Sequence, residues 1–254
     1  MRVLLSNDDG VHARGLGALA EAFAGDEVWI VAPDREQSAA SHAISLHRPL
    51  RIGQVGPRRF AVDGTPTDAV YVGMNLILKG QRPDVVVAGV NHGPNLGNDV
   101  LYSGTVAAAM EGALLGCHAV AVSLASSPPQ DFHHAAAFAA ALARRLARER
   151  DASPMLLNVN VPPGPVRGYR TVRLGRRTYG EEVVEKTDPR GRKYYWIGGE
   201  GGARHEDIPD SDCNTVFLEG LVAVTPLHLD WSHDGLLERV RGWELDAYAR
   251  EPAP

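Results

Sequence analysis

The chain has 254 residues, of which 44% are apolar and 22% are charged, and its formal net charge at pH 7 is −5. This composition is typical of one large globular domain, or of one domain with a smaller appendage, and the negative charge disfavours binding to nucleic-acid polymers or anionic membranes. No apolar stretch has the roughly 20 residues that span a bilayer, and no signal peptide is recognisable. The two isolated cysteines argue against a zinc site or a disulfide framework. We therefore expect a cytoplasmic protein.

The first 163 residues alternate between apolar runs of strand length and segments with helical spacing, which is typical of a parallel sheet flanked by helices. Buried strands are predicted at Val3–Leu5, Val28–Ala32, Asp84–Val90, Ala119–Leu124 and Met155–Val161. Helices are predicted over Gly15–Phe23, after Thr65, from Ser103 to Gly116, and over Phe132–Arg150. Thr65 has the properties of an N-cap, because Pro66 and Asp68 follow it in the first turn.

Beyond residue 163 the pattern changes. The string "RTVRLGRRTYGEEVVEKTDPRGRKYYWIGG" alternates polar and apolar residues around a Pro-Arg-Gly-Arg turn, which predicts a β-hairpin. A polar loop over Gly198–Asp212 precedes "TVFLEGLVAVTPL", where we expect another pair of strands, and Leu236–Arg250 has the pattern of an amphipathic helix. The aromatic run Tyr194–Trp196 of the hairpin either packs on a partner subunit or belongs to a plain edge strand.

Two adjacent carboxylates, Asp8 and Asp9, follow the first predicted strand in the string "LLSNDDG". On a continuing strand they would point to opposite faces, so they converge only if the chain turns, which Gly10 allows. Converging carboxylates repel each other unless a cation stabilises them, and Mg²⁺, Mn²⁺ and Ca²⁺ prefer such oxygen ligands. In the alternative interpretation, one aspartate caps the helix near Gly15 and the other is solvated.

An unusually long predicted connection, "NHGPNLGNDVLYSGT", follows the strand at Asp84–Val90. A strand-to-helix connection of this length is typical of a functional loop. Asn91 stands first after the strand and can offer a carbonyl oxygen to a cation. Ser103, Gly104 and Thr105 directly precede a helix, and the N–H groups at a helix N-terminus favour anions. The alternative is that Ser103 or Thr105 is an ordinary N-cap.

Further polar residues follow the second predicted strand, in "PDREQSAASHAISL". Ser38 and Ser41 are candidate ligands for a cation or a phosphate, and His42 is a candidate proton donor. His12, three residues after Asp9, is a candidate general acid or base. Each of them also fits an ordinary loop or surface position. Because ligands of open α/β sheets bind outside the carboxyl ends of the strands, we expect the functional residues to lie together at that edge.

Four strings occur in order within residues 1–125: "LLSNDDGVHARG", "VAPDREQSAAS", "DGTPTDAVYVG" and "GVNHGPNLGNDVLYSGTVAAAMEG". Together they resemble the SurE family of survival-protein phosphatases. The resemblance implies a Rossmann-like, three-layer α/β/α core with a mostly parallel sheet over residues 1–163. It also implies that a hairpin and helix in residues 164–254 complete the fold and are exchanged between subunits of a homodimer or homotetramer.

The activity implied by the resemblance is that of a metal-dependent phosphohydrolase acting on nucleoside 5′- and 3′-monophosphates. The ligands of one divalent cation, Mg²⁺ or Mn²⁺, fall on Asp8, Asp9, Ser38 and Asn91. The phosphate contacts fall on Asn95, Ser103, Gly104 and Thr105. A one-residue difference in its loop would shift the position that corresponds to Ser38.

The residues and the resemblance lead to one working hypothesis. Two anionic ligands neutralise a doubly charged cation, so the site still attracts a phosphate monoester, and a water attacks the phosphorus in line. Two other hypotheses stay open: an aspartyl-phosphate phosphatase, although the string is "NDDGVH" and not DxDxT, and a Mg²⁺-nucleotide-binding module without catalysis. A dehydrogenase is disfavoured because no G-x-G-x-x-G follows the first strand.

Overall fold

The computed structural model describes residues 1–126, 131–149, 153–179, 183–197 and 203–243. Its strands are β1 (Arg2–Ser6), β2 (Glu27–Pro33), β3 (Ile52–Gly56), β4 (Arg59–Val62), β5 (Val85–His92), β6 (His118–Leu124), β7 (Leu156–Val161), β8 (Tyr169–Thr171), β9 (Arg177–Thr178), β10 (Val183–Thr187), β11 (Lys193–Ile197), β12 (Arg204–His205) and β13 (Val222–Leu227). Its helices are α1 (Arg14–Ala22), α2 (Pro66–Val72), α3 (Gly104–Leu114), α4 (His133–Leu146), α5 (Asp212–Phe217) and α6 (Asp234–Arg241). A π-helical turn (Gly73–Ile77) extends α2, and a 3₁₀ turn (Gly97–Leu101) precedes α3.

A nine-stranded sheet forms the centre, in the order β3-β4-β2-β1-β5-β6-β7-β13-β8. The strands from β4 to β7 in this order are parallel, whereas β3 and β13 run antiparallel to their neighbours β4 and β7. From β1 the chain moves outward to β2 and β4, then returns to β5 on the other side of β1. The strand order therefore reverses between β1 and β5, which is where open α/β sheets bind their ligands.

Helices cover both faces of the sheet. Val3 and Leu5 of β1 pack into a core with α1 and α4, and Leu4 packs into a second core with α2 and α3. All three side chains are fully buried, and each contributes about 1.5–3 kcal/mol by leaving water. The alternation along β1 thus confirms the predicted three-layer α/β/α arrangement.

The start of α2 is formed as the sequence predicts. The Thr65 hydroxyl accepts a hydrogen bond from the Asp68 N–H at 3.1 Å, and the Asp68 carboxylate accepts one from the Thr65 N–H at 2.9 Å. Pro66 occupies the first helical position, where its missing N–H is no loss. The other predicted strands and helices of the first 163 residues are also present within the described residues, with ends that differ by a few positions.

The predicted strand pair in "TVFLEGLVAVTPL" is wrong. Its first residues belong to α5, and only β13 is a strand. Ser211 caps α5, and the Asp212 carboxylate in its first turn accepts a hydrogen bond from the Gly97 N–H at 2.9 Å. The cap and this tertiary contact override the strand preference of Thr215 and Val216. The antiparallel pair β3–β4 has no counterpart among the predicted elements.

The C-terminal hairpin is present as predicted, formed by β10 and β11. Its Trp196 and Ile197 are 60% and 96% exposed, and α6, the first part of the predicted terminal helix, has no buried residue. Parts of three predicted elements lie outside the described residues. They are residues 198–202 of the predicted polar loop, residues 244–250 of the predicted terminal helix, and Arg150 at the end of the helix predicted over Phe132–Arg150. Within the described part of the chain, no helix is long and apolar enough to cross a membrane.

Candidate active site

The chain turns sharply where β1 ends, at the point where the strand order reverses. Asn7, Asp8 and Asp9 follow the strand, and Gly10 has a φ of +102°, a conformation that favours glycine. The Asn7 side-chain amide donates a hydrogen bond to the Gly10 carbonyl at 3.0 Å and is fully buried. Asn7, for which the sequence indicates no role, therefore stabilises the turn that directs both carboxylates to one place.

Asp8 lies against the N-terminus of α3. Its side chain accepts hydrogen bonds from the hydroxyl and the backbone N–H of Thr105. A Cβ atom on Gly104 would lie 2.7 Å from the Asp8 Cβ and 2.9 Å from its Oδ2, so only glycine permits this approach. The residue pair that the sequence assigns to phosphate binding thus also holds the first aspartate in place, in the positive field of the helix N-terminus.

Asp9 lies against the end of β5. Its Oδ1 is 3.6 Å from His92 Nδ1, and the His92 backbone N–H also donates to its carboxylate. Its Oδ2 is buried and has no hydrogen-bond partner. The His92 ring packs against Phe132 with centroids 4.9 Å apart and the ring planes tilted by 32°, which fixes this wall of the site.

Both carboxylates are held in an environment that disfavours their charge. Burial raises the pKa of Asp8 to about 6, although the Thr105 hydroxyl opposes the shift and the neighbouring Asp9 adds to it. Burial also raises the pKa of Asp9 to about 6. A nearby cation would stabilise the charged form of both carboxylates, and it would give the unpartnered Oδ2 of Asp9 a partner. The donor set therefore fits a hard divalent ion.

Neutral oxygens would complete such a site. Among the described residues no group of three or more His, Cys, Asp or Glu could hold a metal ion, so a cation here would rest on two carboxylates and on neutral ligands. The Asn91 side-chain amide donates to the Gly93 carbonyl at 2.9 Å, which leaves its Oδ1 for other partners. Ser38 is exposed, and its hydroxyl donates to Glu36 at 2.7 Å.

The loop that carries Ser38 is fastened beside the site. The Gln37 N–H donates to the Asp8 backbone carbonyl at 2.8 Å, which brings the neighbouring Ser38 close to the turn. Ser41 donates its hydroxyl to the Leu101 carbonyl at 2.7 Å. His42 Nε2 lies 3.0 Å from a carboxylate oxygen of Glu111 on α3. Ser41 and His42, two candidates from the sequence, therefore anchor this loop to the α3 side of the site.

Relatives of the chain were identified by sequence and by structure. The family model described as "Survival protein SurE" matches residues 3–181. A protein named 5′-nucleotidase SurE from Anaeromyxobacter dehalogenans (strain 2CP-1) is 75% identical over 254 residues, covering 100% of both chains. The chain belongs to the SurE family. A protein of the same name from Myxococcus xanthus is 57% identical over 252 residues, covering 98% of this chain and 95% of that one. The crystal structure of the SurE protein from Aquifex aeolicus has a TM-score of 0.83 and 36% sequence identity, and it covers 96% of this chain and 100% of that chain.

A buried amide network, which the SurE motifs do not indicate, holds Asn95. The Asn95 backbone N–H donates to Asn160 Oδ1 at 2.8 Å, and its carbonyl accepts from the side-chain amides of Asn158 and Asn160 at 2.8 and 2.9 Å. The Asn95 side chain donates to the Ser123 hydroxyl at 2.8 Å. The signal was present in "LLNVNV", since two asparagines at alternate positions of a buried strand need partners on one face.

His12 is the remaining candidate that the sequence offers. It is exposed and lines a polar cavity of about 550 Å³ with Arg14 and Arg59, and neither Asp8 nor Asp9 lines that cavity. The assignment of His12 as an acid or base stays a prediction.

Proposed function

We propose that this chain is a 5′-nucleotidase that releases phosphate from nucleoside 5′-monophosphates, and also from 3′-monophosphates, with Mg²⁺ or Mn²⁺. The observation that carries the proposal is the pair of adjacent carboxylates, Asp8 against the N-terminus of α3 and Asp9 against the end of β5, where burial raises both pKa values to about 6. The names of the 75% and 57% identical relatives support the nucleotidase activity. The composition favours the cytoplasm as the compartment.

Asp8 and Asp9 would hold one divalent cation together with the Asn91 side-chain oxygen and the hydroxyl of Ser38. The unpartnered Oδ2 of Asp9 supports this ligand set. A bound cation supplies positive charge that polarises a phosphoryl oxygen. Because two carboxylates only balance a doubly charged ion, the site keeps its attraction for a phosphate dianion.

The N-terminus of α3 would bind the phosphate. The N–H groups of its first turn favour an anion, and Gly104 brings this turn into close contact with Asp8. Ser103 caps the helix through its hydroxyl at 3.1 Å from the Val106 N–H, and Asn95 is held in the same β5–α3 connection by the buried amide network. These groups orient the ester and stabilise the charge that develops when a water attacks the phosphorus.

We also propose that the chain forms a homodimer or homotetramer in which the hairpin and α6 are exchanged between subunits. The hairpin exposes Tyr195, Trp196 and Ile197, and α6 exposes Leu236 and Leu237. Apolar surface of this extent on isolated elements favours a protein partner. The division at residue 163 then separates the catalytic core from the region that contributes to assembly.

The test is release of inorganic phosphate from 5′-AMP, 5′-GMP and 3′-AMP with Mn²⁺ or Mg²⁺, with and without EDTA. Wild type is expected to release phosphate, and EDTA is expected to stop it. Asp9→Asn is expected to abolish turnover while the circular dichroism spectrum stays unchanged. Asp210→Asn is the matched control, because that side chain is 82% exposed. If the wild type binds nucleotides but releases no phosphate, the chain is instead a nucleotide-binding module without catalysis.

A further inference from the structure

The loop between β2 and β3 carries Ser38, the proposed cation ligand that does not come from the end of a central strand. The backbone of this loop is fastened on both sides of Ser38. The Gln37 N–H donates to the Asp8 carbonyl at 2.8 Å, and the Ser41 N–H donates to the Tyr102 carbonyl at 3.1 Å. The segment that contains Ser38 therefore spans from the turn with the aspartates to the residues that precede α3.

Two residues of this segment have a backbone conformation that disfavours a side chain. The φ of Ala39 is +57° and that of Ser41 is +51°, in the left-handed region where a Cβ atom is crowded. Such a conformation persists only where the surrounding contacts hold it. Ser41 supplies a second contact, because its hydroxyl donates to the Leu101 carbonyl at 2.7 Å. Ser41 therefore holds the strained loop in place.

Glu36 lies on the other side of Ser38 in the chain and accepts a hydrogen bond from its hydroxyl at 2.7 Å. A hydroxyl group has one hydrogen to donate and two lone pairs. Because Glu36 takes the hydrogen, both lone pairs of the Ser38 oxygen are left for other partners. A cation binds to a lone pair, so this hydrogen bond prepares the Ser38 oxygen for a cation.

The negative charge of Glu36 also reaches Asp9. Burial is the main reason that the pKa of Asp9 is raised to about 6, the His92 N–H opposes the shift, and the charge of Glu36 adds to it. In the described part of the chain, no group of three or more His, Cys, Asp or Glu could hold a metal ion. Glu36 therefore does not serve as a third carboxylate ligand, and its contact with the site runs through Ser38.

We propose that Glu36 and Ser41 are positioning residues of the cation site. Glu36 orients the Ser38 hydroxyl, and Ser41 holds the loop of Ser38 against the segment before α3. Groups that hydrogen-bond to the ligands of a metal ion commonly change its affinity by about 10–100-fold. The inference rests on the proposed function, and it extends the cation site to residues that do not touch the cation.

The first measurement is the Kd of Mn²⁺ by isothermal titration calorimetry, without substrate. Glu36→Ala is expected to raise the Kd about ten-fold, the lower end of the range for such groups. Glu36→Gln keeps an oxygen that accepts the Ser38 hydrogen, so its Kd is expected to lie between those of Glu36→Ala and wild type. Glu21→Ala is the matched control, because it removes one negative charge from an exposed position of α1.

Ser41 is tested in the same titration. Ser41→Ala is expected to raise the Kd of Mn²⁺ about five-fold, the effect of losing one hydrogen bond. Ser45→Ala is the matched control in the same loop, because Ser45 is fastened through its backbone N–H, which donates to the Asp68 carboxylate at 2.8 Å. The substitution keeps that bond, so this variant is expected to bind Mn²⁺ as wild type does.

A double-mutant cycle separates orientation of the ligand from a plain loss of charge. If Glu36 acts through Ser38, then Glu36→Ala changes the Kd of Mn²⁺ much less in a Ser38→Ala background than in wild type. An equal change in both backgrounds would mean that Glu36 acts by its charge alone, and it would overturn the positioning role. Both residues are exposed, so none of these substitutions removes a buried side chain.

Release of phosphate from 5′-AMP is measured separately for the same proteins. If the variants weaken Mn²⁺ binding as expected but no ester is hydrolysed by wild type, the proposed function fails and the inference stands. If wild type releases phosphate while Glu36→Ala and Ser41→Ala bind Mn²⁺ as tightly as wild type, the inference is overturned and the proposed function stands. A wild type that binds no Mn²⁺ overturns both the ligand set and the inference.

Discussion

Replacing Asp8 by Asn should stabilise the metal-free protein while it abolishes activity. The pKa of Asp8 rises from 3.8 to about 6 on folding, and its side chain is almost fully buried. A raised pKa means that the folded state prefers the protonated carboxyl, so this group's contribution to stability is present at low pH and is lost as the pH rises through both values. A difference of about 2 units corresponds to about 3 kcal/mol, which the neutral asparagine avoids.

The measurement is the free energy of unfolding in urea, with EDTA present, for wild type and Asp8→Asn between pH 4 and pH 8. The difference is expected to be small near pH 4 and to reach about 3 kcal/mol above pH 7, or about 6–12 °C in Tm. Mn²⁺ at 100 times its Kd should then stabilise wild type by about 2.7 kcal/mol and leave the variant unaffected. A variant that is less stable than wild type at pH 8 without metal would refute the reasoning, because Asp8 would then not be an unfavourable buried charge.

Three further changes test the elements around the carboxylates. Gly104→Ala places a methyl group 2.7 Å from the Asp8 Cβ and should lower kcat/KM at least ten-fold by displacing the start of α3; Gly17→Ala in α1, where a Cβ meets nothing within 4 Å, should keep full activity. Asn160→Leu leaves a buried loop amide without its acceptor and should lower the free energy of unfolding by about 1–3 kcal/mol and raise KM; an unchanged KM would remove Asn160 from the positioning of the loop. Ile197→Asp on the hairpin should shift the oligomer towards monomer in light scattering, and an unchanged mass would argue against the hairpin as the interface.

Local signals made several features predictable. Thr65, Pro66 and Asp68 specify the start of α2 within four residues, so no distant contact is needed to find it. The apolar runs of β1 and β5 mark where each strand ends. Because parallel strands end at the same edge of a sheet, Asp8, Asp9 and Asn91 could be assigned to one end of the fold before their contacts were known.

Contacts between distant segments could not be found in the same way. The bond from Thr105 to Asp8 joins residues 97 apart in sequence, and no local pattern indicates that a residue in the first turn of a helix will donate to a carboxylate that follows a distant strand. Asn158 and Asn160 were detectable as polar residues in a buried strand, but their target, the backbone of Asn95, depends on the path of a loop from another part of the chain.

Other differences arise where local preference and tertiary structure disagree. The pair β3–β4 contains Gly53 and Gly56 and is mostly exposed along β3, so it lacks the apolar alternation that predicts strands. In α5 the β-branched residues favour a strand, and the cap at Ser211 prevails.

The central position of β1 has a consequence for the order of folding. β1 gains its neighbour β5 only after some 80 residues of chain have been arranged, and pairing over such separations is slow because the entropy of closing the loop is lost first. The hydrogen bond that holds Asp8 forms only when α3 has docked on that completed pair. A chain that is still partly folded therefore has neither buried carboxylates nor a reason to bind a cation. Under the proposed function, metal content is therefore expected to measure the correctly folded fraction of a preparation.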